Sequence, residues 1–358
     1  MEETVMNDRA AAPTGETSPF ATPPRRYDRW LNWGIAAAAV AVLGVLLFLG
    51  VTYYQDAHRA DTESPSARAV SNLRKMVTAS PNNAMARVRL AEAMMANGQE
   101  SEAIEQLGEA LKIDKELTPA LTDLGLIAME RREWTKAEEY WGTIIGLLKR
   151  DSMSGQDQRL SEAYYYLGTT LVELKRNEEA VANLKESVRI KRDSAPVHYM
   201  LSVAYQRLGL PEQQKRELDI VVAFDPENAQ ANYDLGLLLL KAGDKAGAAE
   251  LFRVAADHAP AGITDPQKQL DALGEAAAHL AEARRYKDSD PKKALAEARI
   301  AAALDPANPD SVRLIAQLWE KTGDTKRAQN AWDRLLELVP GDKQATDEIK
   351  RLNPDATK

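Results

Sequence analysis

From residue 84 onward the chain repeats itself. The stretch AMARVRLAEAMMANGQESEAIEQLGEALKID, beginning at Ala84, recurs in altered form from Thr118, Ser161, Ala195, Ala229, Glu275 and Pro309. Successive starts lie 34, 43, 34, 34, 46 and 34 residues apart, so four of the six steps are equal and the other two carry insertions of 9 and 12. A fixed period of this size makes each unit a supersecondary element that buries its apolar face only by stacking on its neighbours. Such a chain builds an extended array rather than a globule around one core.

The register of each unit is read from recurring residue types. Position 7 is Leu90, Leu124, Leu167, Leu201, Leu235, Ala281 and Ile315, and position 8 is small at Ala91, Gly125, Gly168, Ser202, Gly236 and Ala316, with Glu282 the exception. Position 20 is Ala103, Ala137, Ala180, Ala248, Ala294 and Ala328, interrupted once by Gln214. Position 24 is bulky at Leu107, Trp141, Leu184, Leu218, Phe252 and Trp332, and Ala298 in the sixth unit. Gly98, Gly209, Gly243 and Gly323 at position 15 suit a residue of positive φ that ends a helix, and Pro226, Pro260, Pro306 and Pro340 close the unit at position 32. Small residues let two antiparallel helices approach closely, and the bulky ones fill the seam.

This pattern resembles the tetratricopeptide repeat (TPR) over about 260 residues. The resemblance implies an all-α TPR superhelix, an α-solenoid of about seven repeats over 84–117, 118–151, 161–194, 195–228, 229–262, 275–308 and 309–342. Residues 66–80 read as the second helix of a half repeat within the linker and capping region 55–83, with Ala69, Leu73 and Met76 at positions 20, 24 and 27. Residues 343–358 read as a polar capping helix and tail. The insertion near Ser152, SMSGQDQRL, reads as a polar loop, and that over 263–274 is expected to lengthen the first helix of the sixth repeat.

Ahead of the array, residues 1–33 have too few apolar side chains to offset their ordering entropy and read as a disordered tail. Residues 34–54, GIAAAAVAVLGVLLFLGVTYY, carry no charge and at 1.5 Å per residue reach about 31 Å, the thickness of a bilayer core. Trp30 and Trp33 flank one end and Tyr53 and Tyr54 the other, where amphipathic rings favour the headgroup zone. We expect one N-terminal transmembrane helix. The run is too long for a cleaved signal peptide. Arg25, Arg26 and Arg29 before the helix against Arg59 and Arg68 after it bias the tail to the cytoplasm and the array to the periplasmic or external side of a plasma membrane.

Composition narrows the function. With 46 Lys+Arg against 54 Asp+Glu the net charge is −8, the wrong sign for a nucleic-acid binder. No cysteine is present, which removes disulfides, thiolate metal sites and a Cys nucleophile. His58, His198, His258 and His279 form no i,i+4 pair, and neither GxGxxG nor GxxxxGK[ST] occurs, so no metal, cofactor, catalytic residue or small-molecule substrate is expected. The basic residues Lys175, Arg176, Lys185, Arg189, Lys191 and Arg192 of the third repeat read as a solvated face.

The resemblance supplies a groove instead. In TPR arrays the first helices line the concave face through positions 2, 5, 6, 9, 12 and 13. Some members hold a C-terminal carboxylate there with Lys at position 5 and Asn at position 9. This chain has Tyr165, Tyr199 and Tyr233 at position 5 of repeats three to five and Thr169, Val203 and Leu237 at position 9, so that clamp is absent. With Tyr166 and Met200, these residues form an aromatic and apolar strip expected to accept a partner protein's helix or extended peptide. The expectation is a non-catalytic, membrane-tethered scaffold or assembly factor. Its architecture is similar to that of bacterial membrane-anchored TPR proteins of cytochrome c maturation or protein export. The alternative is a permanent structural subunit of a large membrane complex.

Overall fold

The computed structural model describes Leu49, residues 64–150 and residues 157–353. Apart from Leu49, the tail, membrane helix and linker expected over 1–63 lie outside the described residues. Among the described residues there are seventeen helices and no strand, and none of these helices is long and apolar enough to cross a membrane.

Helix α1 (Pro65–Ala79) stands alone at the start, followed by the hairpins α2 (Ala84–Ala96) with α3 (Glu100–Ile113) and α4 (Thr118–Glu130) with α5 (Trp134–Leu148). Next come α6 (Gln158–Glu173) with α7 (Asn177–Ile190), α8 (Ala195–Arg207) with α9 (Pro211–Phe224) and α10 (Ala229–Lys241) with α11 (Lys245–His258). A short helix α12 (Asp265–Asp271) precedes α13 (Ala276–Tyr286) with α14 (Pro291–Leu304), α15 (Pro309–Lys321) with α16 (Thr325–Leu338), and the closing α17 (Lys343–Leu352).

Local chemistry sets these boundaries. Asn83, Asp157, Asn228 and Asn308 accept backbone N–H bonds at the starts of α2, α6, α10 and α15, satisfying donors that a first helical turn leaves free. In six of the seven hairpins, all but the sixth, the chain turns through one residue of positive φ, Gly98, Gly209, Gly243 or Gly323; the second and third hairpins use Arg132 and Lys175 at φ 58° and 61°. These two sites lack the expected glycine and keep the turn, so the hairpin tolerates an αL side chain there.

Packing explains the register. A Cβ added to Gly125 would lie 2.8 Å from Trp141, one on Gly168 2.5 Å from Leu184, and one on Gly236 2.6 Å from Phe252. Position 8 must therefore be small because the position-24 side chain of the same hairpin rests on its backbone. Trp141, Leu184 and Phe252 are almost wholly buried, each stabilising its hairpin by roughly 2–3 kcal/mol of apolar transfer.

Three expectations are corrected. Residues 263–274 do not lengthen a helix: α12 is a separate short helix, broken from α13 at Gly274 with φ 109°. The end of SMSGQDQRL is helical rather than loop, since Asp157 caps α6 and Leu160 is buried; residues 152–156 lie outside the described residues. In α1 the buried residues are Val70 and Val77, with the expected Leu73 packed beside them, whereas Ala69 is exposed and Met76 is 51% exposed, so α1 turns Val70 and Val77 rather than Ala69 and Met76 to the core.

The sixth hairpin also shifts register. His198 on α8 lies 2.7 Å from Glu217 through Nδ1 and donates through Nε2 to the Arg192 carbonyl, six residues earlier. His279 on α13 repeats this, with Nδ1 2.6 Å from Glu297 and Nε2 donating to the Leu273 carbonyl. His279 is therefore the structural counterpart of His198 at position 4, one place earlier than the sequence count. The small residue of α13 is then the fully buried Ala283, not Glu282, and the residue at position 5 is Leu280, not His279. One residue is missing between α13 and α14, and the exceptional Glu282 follows from counting across that gap.

Elsewhere the second helix of a hairpin packs on the first helix of the next, whereas α11 packs on α12 and directly on α14. Leu270 of α12 is fully buried against Phe252. Arg253 donates to the Ala303 carbonyl at 2.8 Å, and Arg299 meets Glu250 through two bonds of 2.6 Å. At the other end Ala345, Ile349 and Leu352 of α17 cover the cluster around Trp332.

Candidate protein-binding groove

Successive first helices are tied side by side at the groove positions. The Tyr199 hydroxyl of α8 donates to Asp234 Oδ2 of α10 at 3.0 Å, and Arg207 of α8 donates to the Val172 carbonyl and, at 3.0 Å, to Glu173 of α6. Farther on, Arg284 of α13 bonds Asp310 of α15 at 2.7 Å, and Lys287 bonds Gln317 at 2.6 Å. These bonds join residues about one repeat apart, so the array carries the groove positions in register from unit to unit.

All eight strip residues, Tyr165, Tyr166, Thr169, Tyr199, Met200, Val203, Tyr233 and Leu237, are half-buried on α6, α8 and α10. Each also packs. Tyr166 stacks on Trp141 at 4.6 Å and meets Tyr165 at 5.1 Å, while Tyr233 tilts against Phe252 at 5.8 Å. Met200 and Val203 lie against the Leu171–Val172 cluster, Tyr199 against Leu218 and Leu235, and Leu237 against the Phe252–Leu270 cluster. The Thr169 hydroxyl donates to the Tyr165 carbonyl at 3.0 Å and so is satisfied within its own helix. The rings are held by the seams with part of their surface left to solvent.

Two acidic groups of the groove positions escaped the sequence reading. Burial pushes the Asp123 carboxyl up to about 6, and the Glu92 carboxylate from the preceding unit adds to the effect. Burial also raises Asp234, against the lowering pull of bonds from Tyr199 and Gln230. The Tyr199 hydroxyl is in turn raised by its own burial and by the Asp234 charge. No pattern in the sequence singles these carboxylates out, because burial at a groove depends on which helix faces which.

The basic residues of the third repeat are partly neutralised in place. Arg176 pairs with Glu179 at 2.5 Å and with Glu138 of the preceding unit at 2.6 Å, and Arg189 pairs with Glu186 at 2.9 Å. Among the described residues no cluster of three or more His, Asp or Glu could hold a metal ion.

Comparison with known proteins agrees with this architecture. Models described as tetratricopeptide repeat match residues 66–124, 161–194 and 199–263. The chain carries tetratricopeptide repeats, arranged as an all-α solenoid. Among individual proteins, it is 32% identical over 92 residues to the BBSome complex member bbs-4 of Caenorhabditis elegans, which is 26% of this chain and 20% of that protein. The chain thus spans about a fifth of the length of the curated relative it matches. Among solved structures it is similar to YrrB, described as a TPR protein with an unusual peptide-binding site, at 18% identity and a TM-score of 0.46, covering 57% of this chain and 99% of that one. It is also similar to PilF of Pseudomonas aeruginosa, at 18% identity and a TM-score of 0.42, covering 77% and 97%.

Proposed function

We propose that the protein is a non-catalytic scaffold that holds a helix or extended segment of another protein against α6, α8 and α10. TPR arrays are protein-interaction modules, and the observation that carries the reading to this face is the half-buried state of the Tyr165–Tyr199–Tyr233 strip. Rings fixed by their seams lose little entropy on binding, and their remaining surface is apolar contact area. The neighbouring first helices are cross-tied, so the strip is preorganised.

In the same reading residues 34–54 anchor the array to a membrane, with the tail cytoplasmic and the repeats on the opposite side. What supports this is the uncharged run with its aromatic flanks and the excess of arginine before it. Cytochrome c maturation and protein export are the assembly pathways that such an anchored array would suit.

The test is the double variant Tyr199→Ala/Tyr233→Ala in membranes, assayed by crosslinking and pull-down through a C-terminal tag. The reading expects at least a tenfold loss of the captured partner with helicity and Tm showing an intact array. Undiminished capture by a folded variant would reduce the strip to packing.

A further inference from the structure

Gln214 breaks the rule of its position. Six of the seven repeats have alanine there, at the crossing of the two helices. It is only 5% exposed, yet its carboxamide makes no hydrogen bond with any described residue, and it lines a cavity of about 320 Å³. Its amide atoms are not sealed from solvent, so they stay available to a group entering the cavity, a capacity that the alanine of the other repeats lacks.

The cavity lies between the α8–α9 turn and α10, bordered also by Gln206, Leu210, Asp234, Leu237 and Lys241. Asp234 is the carboxylate that accepts from Tyr199, and Leu237 belongs to the strip itself, so the cavity opens beside the groove. Lys241 has no ion pair among the described residues. The two opposite charges decide what fits. A carboxylate entering the cavity would face Asp234, and an ammonium or guanidinium would face Lys241. A neutral group with one donor and one acceptor meets both charges favourably, and it matches the donor and acceptor of Gln214 with two parallel bonds.

We propose that this cavity is a recognition pocket for an asparagine or glutamine side chain of the partner segment, whose carboxamide pairs with that of Gln214. The inference rests on the groove reading and deepens it: the tyrosine strip supplies contact area, and the pocket fixes the register of the bound segment. A site built to hydrogen-bond a buried polar group also rejects apolar residues strongly, because its own groups would be left unpaired.

The full-length chain is titrated with N-acetyl-glutamine methylamide, and in parallel with the capped glutamate, lysine and leucine analogues, following the side-chain amide resonances of Gln214 identified by their loss in Gln214→Ala. The capped glutamine should shift these resonances saturably and the other three should not. Its affinity, read from other pocket resonances, should fall about tenfold or more in Gln214→Ala. That variant restores the alanine of the other repeats, so its Tm should be unchanged or raised. The pocket is refuted if the capped glutamine leaves the Gln214 resonances in place, if capped leucine binds as tightly, or if Gln214→Ala binds undiminished. The two readings fail separately: retention of the partner by Tyr199→Ala/Tyr233→Ala removes the strip, whereas the capped-glutamine titration reports on the pocket alone.

Discussion

At the scale of single residues, the array rests on contacts between one small and one large side chain. Gly236 lies under Phe252 so closely that an added methyl would sit 2.6 Å from the ring. Gly236→Ala should therefore destabilise by about 1–3 kcal/mol through overpacking, measured by urea unfolding, although alanine is the better helix former. An unchanged or raised midpoint would mean that the hairpin relaxes freely. This contact was legible in the sequence, because a small residue and a bulky one recur at fixed positions. Asp123 was not legible. Its carboxyl is raised to about 6 by burial from an ordinary 3.8, with Glu92 contributing. The folded state then binds the proton more tightly than the unfolded chain, so this group's contribution is favourable at low pH and is lost as pH rises from about 4 to about 6. A shift of that size corresponds to about 3 kcal/mol, and partial exposure reduces it to about 1 kcal/mol. Asp123→Asn should be more stable than the parent by about that amount above pH 6, with the gap closing toward pH 4. A gap that widens on acidification would contradict the assignment.

At the scale of elements, the sequence periodicity located the hairpins but not their irregularities. An insertion followed by a one-residue deletion can keep the second helix in register while moving the first, and no count along the chain detects that. The recurring His–Glu pairs at α8 and α13 reveal it, because side chains with the same partners occupy the same place in the repeat. Insertion 263–274 has helical spacing, but Gly274 at φ 109° breaks the helix before α13. The result is α12, which takes over part of the surface of α11 that a regular repeat would cover with its first helix. Leu270 is fully buried in this contact, in the same cluster as Phe252. Leu270→Ala should cost 2–5 kcal/mol, and hydrogen exchange should show the added opening concentrated in α11–α14 rather than in α2–α5. Uniform loss of protection along the chain would mean that the array unfolds as one unit and that α12 is no special joint.

At the scale of the whole molecule, each unit of the stack contacts mainly its neighbours. The stack offers long, continuous faces. The face of the first helices is the one whose side chains are cross-tied from repeat to repeat and whose tyrosines keep accessible surface. The opposite face, typified by Glu139 on α5, is charged and exposed. The most direct measurement is therefore site-specific photo-crosslinking in intact cells, with benzoylphenylalanine placed at Tyr165, Tyr199 or Tyr233 and, for comparison, at Glu139. The account predicts one set of partner proteins crosslinked from the tyrosine positions and not from Glu139. Crosslinks from Glu139 alone, with the tyrosine positions silent in a folded chain, would contradict it.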